Sequence, residues 1–168
     1  MQAPKDFFNS AQNGNISGVK KRLDDGVHAD SQDEYGNTAL IWASMNGHEA
    51  VCELLITRGC NVDMQNKDGY TALMRASDNG HEAVCELLVT RGCNVDMQDK
   101  GGWTALIRAS YNGEIPIIFS LIEAGCDYSL RNNYGKSAMD LLSQDYPDKV
   151  EQVQVSRSST AVVTHSLI

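Results

Sequence analysis

Histidines at 28, 48, 81 and 165 and cysteines at 52, 60, 85, 93 and 126 are the residues of this 168-residue chain best suited to nucleophilic, redox or metal chemistry. Their spacing argues against each use. A zinc-protease helix needs two histidines four residues apart with a glutamate between, so that both imidazoles share one face. The recurring "GHEAV" supplies His48-Glu49 and His81-Glu82 but no second histidine. Zinc ribbons and dithiol redox centres use Cys-x-x-Cys pairs, and no two cysteines stand at that distance. Five is also an odd number, which makes a closed disulfide framework awkward. The carboxylates gather in turn-like stretches such as "LDDG" and "QDEYG", where solvation and capping account for them. No Gly-rich loop follows a strand to cradle a phosphate. The expectation is a chain with no catalytic residues, no bound metal and no cofactor.

A repeat sets where these residues fall. "NGHEAVCELL" runs over residues 46–55 and again over 79–88. Shifting the chain by 33 residues aligns 36–68 with 69–101, and 26 of the 33 positions are identical. The register extends both ways, through Gly14, Gly47, Gly80 and Gly113 and through Gly26, Gly59, Gly92 and Gly125. His48 and His81 are thus one repeat position, each after a helix-ending glycine, and read as turn-stabilising imidazoles. Cys60, Cys93 and Cys126 are another such position. Packed helices lie about 8–10 Å apart, beyond the roughly 7 Å between α-carbons that a disulfide permits. The thiols read as small apolar fillers.

Each unit reads as two short helices and a turn. Thr38, Thr71, Thr104 and Ser137 precede apolar stretches such as "ALIWAS", where a hydroxyl caps orphan amides at a helix start. Asn46-Gly47, Asn79-Gly80 and Asn112-Gly113 stop the first helix, since glycine takes the left-handed cap freely. A second helix begins at "HEAV", and Pro116 falls in the first turn of its counterpart, where proline is tolerated. Val51, Leu54 and Leu55, with Val84, Leu87 and Leu88, keep helical spacing until Gly59 and Gly92. Neither helix is long enough to persist alone in water, so neighbours must cover the apolar faces.

The period, the "TALIWAS" start, the "NGH" turn and the "LLITRGCNVD" exit resemble the ankyrin repeat over residues 4 to about 153. The resemblance implies an all-α, right-handed α-solenoid of helix-turn-helix units with short β-turn or hairpin tips. It divides the chain into an N-terminal capping repeat at 1–35, repeats at 36–68, 69–101 and 102–134, a C-terminal capping repeat at 135–154 and a flexible tail at 155–168. Lys20, Lys21 and Arg22 stand where later units carry Glu53, Leu54 and Leu55, which suits the polar outer face of a terminal repeat. Ile41, Met74 and Ile107 stand where the family usually carries a histidine, so an apolar contact replaces its hydrogen bond.

Function should reside in the seven differences between the near-copies. Ile41/Met74 and Ile56/Val89 are conservative, whereas Asn37/Tyr70, Trp42/Arg75, Met45/Asp78, Asn66/Asp99 and Asp68/Gly101 change size, charge or polarity. Positions that exchange Trp for Arg are expected to be exposed. In ankyrin proteins such positions line the concave groove that grips a partner. The candidate partner-binding residues are therefore Trp42, Met45, Tyr70, Arg75, Asp78, Trp103, Arg108 and Tyr111, rich in the Tyr, Trp and Arg that dominate interface hot spots.

The expected function is non-catalytic protein–protein interaction, as an adaptor or scaffold; the alternative is a regulatory segment of a larger signalling enzyme, channel or ubiquitin-ligase adaptor. A net charge of −8 disfavours nucleic acid and anionic membrane surfaces, and no apolar run nears the roughly 18 residues of a spanning helix. "MQAPKDFFNS" has no basic start followed by an apolar stretch, so the expected location is cytoplasmic or nuclear. The final Ser166, Leu167 and Ile168 resemble a ligand for PDZ domains.

Overall fold

The computed structural model describes residues 3–153. The Ser166–Leu167–Ile168 ending and the tail at 155–168 lie outside them. Among the described residues the helices include α1 (Lys5–Gln12), α2 (Ile16–Asp24), α3 (Ala39–Met45), α4 (Glu49–Thr57), α5 (Ala72–Asp78), α6 (Glu82–Thr90), α7 (Ala105–Asn112), α8 (Ile115–Glu123) and α9 (Ala138–Asp145). Residues 147–153 are also helical. Thr38, Thr71, Thr104 and Ser137 each accept a hydrogen bond from the amide three residues on, at 3.1–3.2 Å. The hydroxyl position that recurs in the sequence is therefore the helix cap.

The helices form two layers. In one, α1, α3, α5, α7 and α9 pack each against the next; in the other, α2, α4, α6 and α8 do the same, and each unit joins its two helices across the layers. The core runs between them, through Phe7, Leu40, Leu55, Leu88, Ile117, Leu121 and Leu142, all 2% exposed or less. Ile41, Met74 and Ile107 are 1% exposed, so the position lacking a histidine is part of this apolar seam. Among the described residues there is no named strand, only bridges pairing Gln32 with Thr38 and Arg131 with Ser137 at the turn tips. The fold is an all-α repeat solenoid.

Three polar ladders tie unit to unit, each repeating at the sequence period. Gln32, Gln65 and Gln98 donate to the glycine carbonyl of their own turn at 2.7 Å and to the main chain of the next turn at 3.0 Å. Asp30, Asp63 and Asp96 accept the amides of Asn61, Asn94 and Asp127 at 2.7–2.9 Å. His48 Nε2 donates to the Gln12 carbonyl (2.9 Å) and His81 Nε2 to that of Met45 (3.1 Å). The imidazoles thus tie each unit to the end of the first helix in the unit before it, and make no side-chain cap bond to the helix they precede. Gly47 has φ +72°, and a Cβ there would sit 2.6 Å from His81 Nδ1, so the asparagine–glycine turn needs glycine for both conformation and space.

Candidate partner-binding surface

The turn tips determine how side chains meet the first-helix layer. One side-chain oxygen of Asp33, Asn66, Asp99 and Asn132 accepts the main-chain amides two and four residues ahead, at 2.7–3.0 Å. This fixes the side chain and leaves its other group to reach elsewhere. Asp33 Oδ2 accepts from Trp42 Nε1 at 2.8 Å. Asp99 Oδ2 accepts from Arg108 Nη2, at the same separation of nine residues. Asn66 instead donates to Asn37 Oδ1 at 2.8 Å.

On α5 and α7 the candidate residues form one cluster. The Arg75 guanidinium lies 3.6 Å from the Tyr70 ring centroid and that of Arg108 4.2 Å from the same centroid. Arg108 also lies 5.5 Å from Trp103, whose ring meets Tyr111 edge-on at 5.6 Å and 85°. Asp78 binds Arg108 Nη1 at 3.2 Å and accepts from Asn112 Nδ2 at 3.3 Å. Tyr70, Asp78, Asp99, Trp103, Arg108 and Tyr111 border an open hollow of about 630 Å³. Trp42 faces a neighbouring hollow of about 170 Å³ with Phe8, Asp33 and Tyr35. Met45 ends α3, where its carbonyl meets His81.

The expectation that the Trp/Arg position is exposed fails in the third copy. Trp42 and Arg75 are half-buried, but Arg108 is 7% exposed, and Asn37 and Asn66 are 7% and 8% exposed. Arg108 tolerates burial because two carboxylates flank it. Desolvation works against its charge, and Asp78 and Asp99 more than offset it, raising its pKa above the ordinary arginine value. Sequence reasoning missed Asp33 and Asp99 as the partners of this helix position. Part of the signal was in the sequence: Asn66/Asp99 is among the seven differences, and Asn66 and Asp99 stand nine residues before Arg75 and Arg108 across the boundary between copies. Tyr111, 50% exposed, is the most open aromatic of the cluster.

The cysteines lie apart from this surface. Cys52 and Cys85 are 0% exposed, and burial pushes their thiols up to about 11 and about 12. Burial also raises Cys60 and Cys93 to about 12. Such thiols stay protonated at neutral pH and are poor nucleophiles. Among the described residues, no group of three or more His, Cys, Asp or Glu is placed to hold a metal ion.

A family model described as "Ankyrin repeats (3 copies)" matches residues 7–99, 52–132 and 84–152. The chain belongs to the ankyrin repeat family. As an ankyrin array it is a protein-interaction module, of a kind that is typically non-catalytic. It is also similar to osteoclast-stimulating factor 1 of Gallus gallus, Danio rerio and Rattus norvegicus, 39% identical over 49 residues in each case. That stretch is 29% of this chain and 24%, 23% and 23% of those proteins, so the match spans about a quarter of their length. Among the described residues, no helix is long and apolar enough to cross a membrane.

Proposed function

We propose that the ankyrin array is a non-catalytic adaptor that grips a partner protein through a concave groove formed by the turn tips and the first-helix layer. The repeats run 36–68, 69–101 and 102–134 between caps at 1–35 and 135–154. Tyr70, Arg75, Trp103 and Tyr111 form the centre of contact, with Trp42 and Met45 on the N-terminal side. Asp78 and Arg108 hold the aromatics in place. One observation carries this reading: the positions at which near-identical repeats diverge come together as a cationic and aromatic cluster beside an open hollow. The partner is a protein rather than nucleic acid or membrane, and the location cytoplasmic or nuclear. The relatives extend far beyond the matched stretch, which also favours a second reading, an interaction segment of a longer regulatory protein.

Substitutions test this unequally. Trp42 is hydrogen-bonded to Asp33, and both Trp42 and Trp103 pack against the apolar core, so alanine at either also loosens the fold. Tyr111→Ala is the cleaner probe. Affinity capture with the full chain should retain at least about tenfold less partner for Tyr111→Ala, the cost of a hot-spot aromatic. Its melting temperature should shift by only a few degrees. Glu86→Ala, exposed on α6, should capture normally. Loss of capture at Glu86 but not at Tyr111 would place the interface on the other layer.

A further inference from the structure

Arg75 and Arg108 occupy one repeat position, yet their surroundings differ. Arg108 is held by Asp99, nine residues before it, and by Asp78, thirty before it. The corresponding positions for Arg75 are Asn66 and Met45. Both counterions have been exchanged for uncharged side chains, at two of the seven positions where the copies diverge. Asn66 turns its amide to Asn37. Among the described residues the Arg75 guanidinium makes no hydrogen bond and no ion pair. Its Nε is buried without an acceptor, and the residue as a whole is half-buried. Among the described residues its one partner is the face of Tyr70, at 3.6 Å. The four charges of the cluster sum to zero, but both carboxylates lie at ion-pair distance from Arg108 and neither from Arg75.

We propose that Arg75 is the anion-recognition point of this surface and takes an aspartate or glutamate side chain of a partner protein, presented beside apolar residues that meet Tyr70 and Trp103. The proposal rests on the groove reading above. Stacking on Tyr70 holds the guanidinium plane, so little side-chain freedom is lost when two Nη donors meet a carboxylate fork. Charge-assisted hydrogen bonds of this kind are stronger than neutral ones. The chain's net charge of −8 does not oppose this contact at close range, since exposed charges beyond about 8–10 Å are screened at physiological salt.

Two substitutions supply a counterion from within the chain. Asn66→Asp copies Asp99, and Met45→Asp copies Asp78. Phage-displayed random dodecapeptides panned against the full chain should converge on sequences with one acidic residue flanked by apolar ones. A selected peptide should bind Asn66→Asp and Met45→Asp at least about tenfold more weakly, the loss of one charge-assisted bond; Met45→Asp should not melt lower, and it keeps the Asn66–Asn37 hydrogen bond that Asn66→Asp gives up. Changing the peptide's acid to its amide should weaken wild-type binding equally and cost nothing further against Asn66→Asp. Peptides that lose binding to Tyr111→Ala but bind Asn66→Asp like wild type overturn the role of Arg75 and leave the groove reading intact. Peptides indifferent to both variants overturn both. A selection that yields no acid-bearing binder also overturns the proposal.

Discussion

Replacing Arg108 by alanine should destabilise the chain by about 3 kcal/mol, because removing one partner of a buried ion pair strands the other charge. The Asp99 side chain is 5% exposed and that of Asp78 27%. Asp99 would keep the amides of Gly101 and Trp103 on Oδ1 but lose the Arg108 guanidinium, its one cation among the described residues. Asp78 is wetter and contributes less to the loss. For a chain of this length the melting temperature should fall by roughly 6–12 °C. Arg75→Ala should cost under about 1 kcal/mol, since the Tyr70 face is the guanidinium's one partner among the described residues. Thermal unfolding of the two variants in parallel checks the contrast. Equal shifts would mean that the two arginines are held alike.

Leu88→Ala should cost about 3–5 kcal/mol, as expected for a fully buried leucine leaving a cavity. Its position matters as much as its size. α6 packs on α4 and α8 and also on α5 of its own unit, and in a linear array each unit is stabilised by its neighbours. Hydrogen exchange should therefore rise in units on both sides of residue 88. Val19→Ala, equally buried but on α2 in the first unit, should raise exchange mainly in α1 and α2. Protection lost only around residue 88 would contradict nearest-neighbour coupling.

Much of the fold was legible because a 33-residue period with hydroxyl caps and glycine stops leaves few alternatives for Thr71, Gly80 or Leu88. The helix caps and the apolar replacement of the family histidine at Ile41, Met74 and Ile107 follow from composition at fixed register. The glutamine ladder was hidden in plain view: Gln32, Gln65 and Gln98 recur at the period, but a polar residue in a turn gives no local sign that it bonds to the next unit. The surface was legible only as a set of positions. Whether an arginine there is buried depends on residues nine and thirty positions away, so Arg75 and Arg108 look equivalent in a ladder of letters. Their difference lies in the exchange of Asp99 for Asn66 and of Asp78 for Met45, a pairing across turns and units that only coordinates display.

Site-specific photo-cross-linking tests the groove most directly. A benzoylphenylalanine replacing Tyr111, and another replacing Glu86, would be irradiated in cells and the adducts identified by mass spectrometry. The account predicts one protein partner cross-linked from position 111, competed by excess wild-type chain but not by Tyr111→Ala, and no such adduct from position 86. The same partner cross-linked from position 86 and absent from position 111 would contradict it.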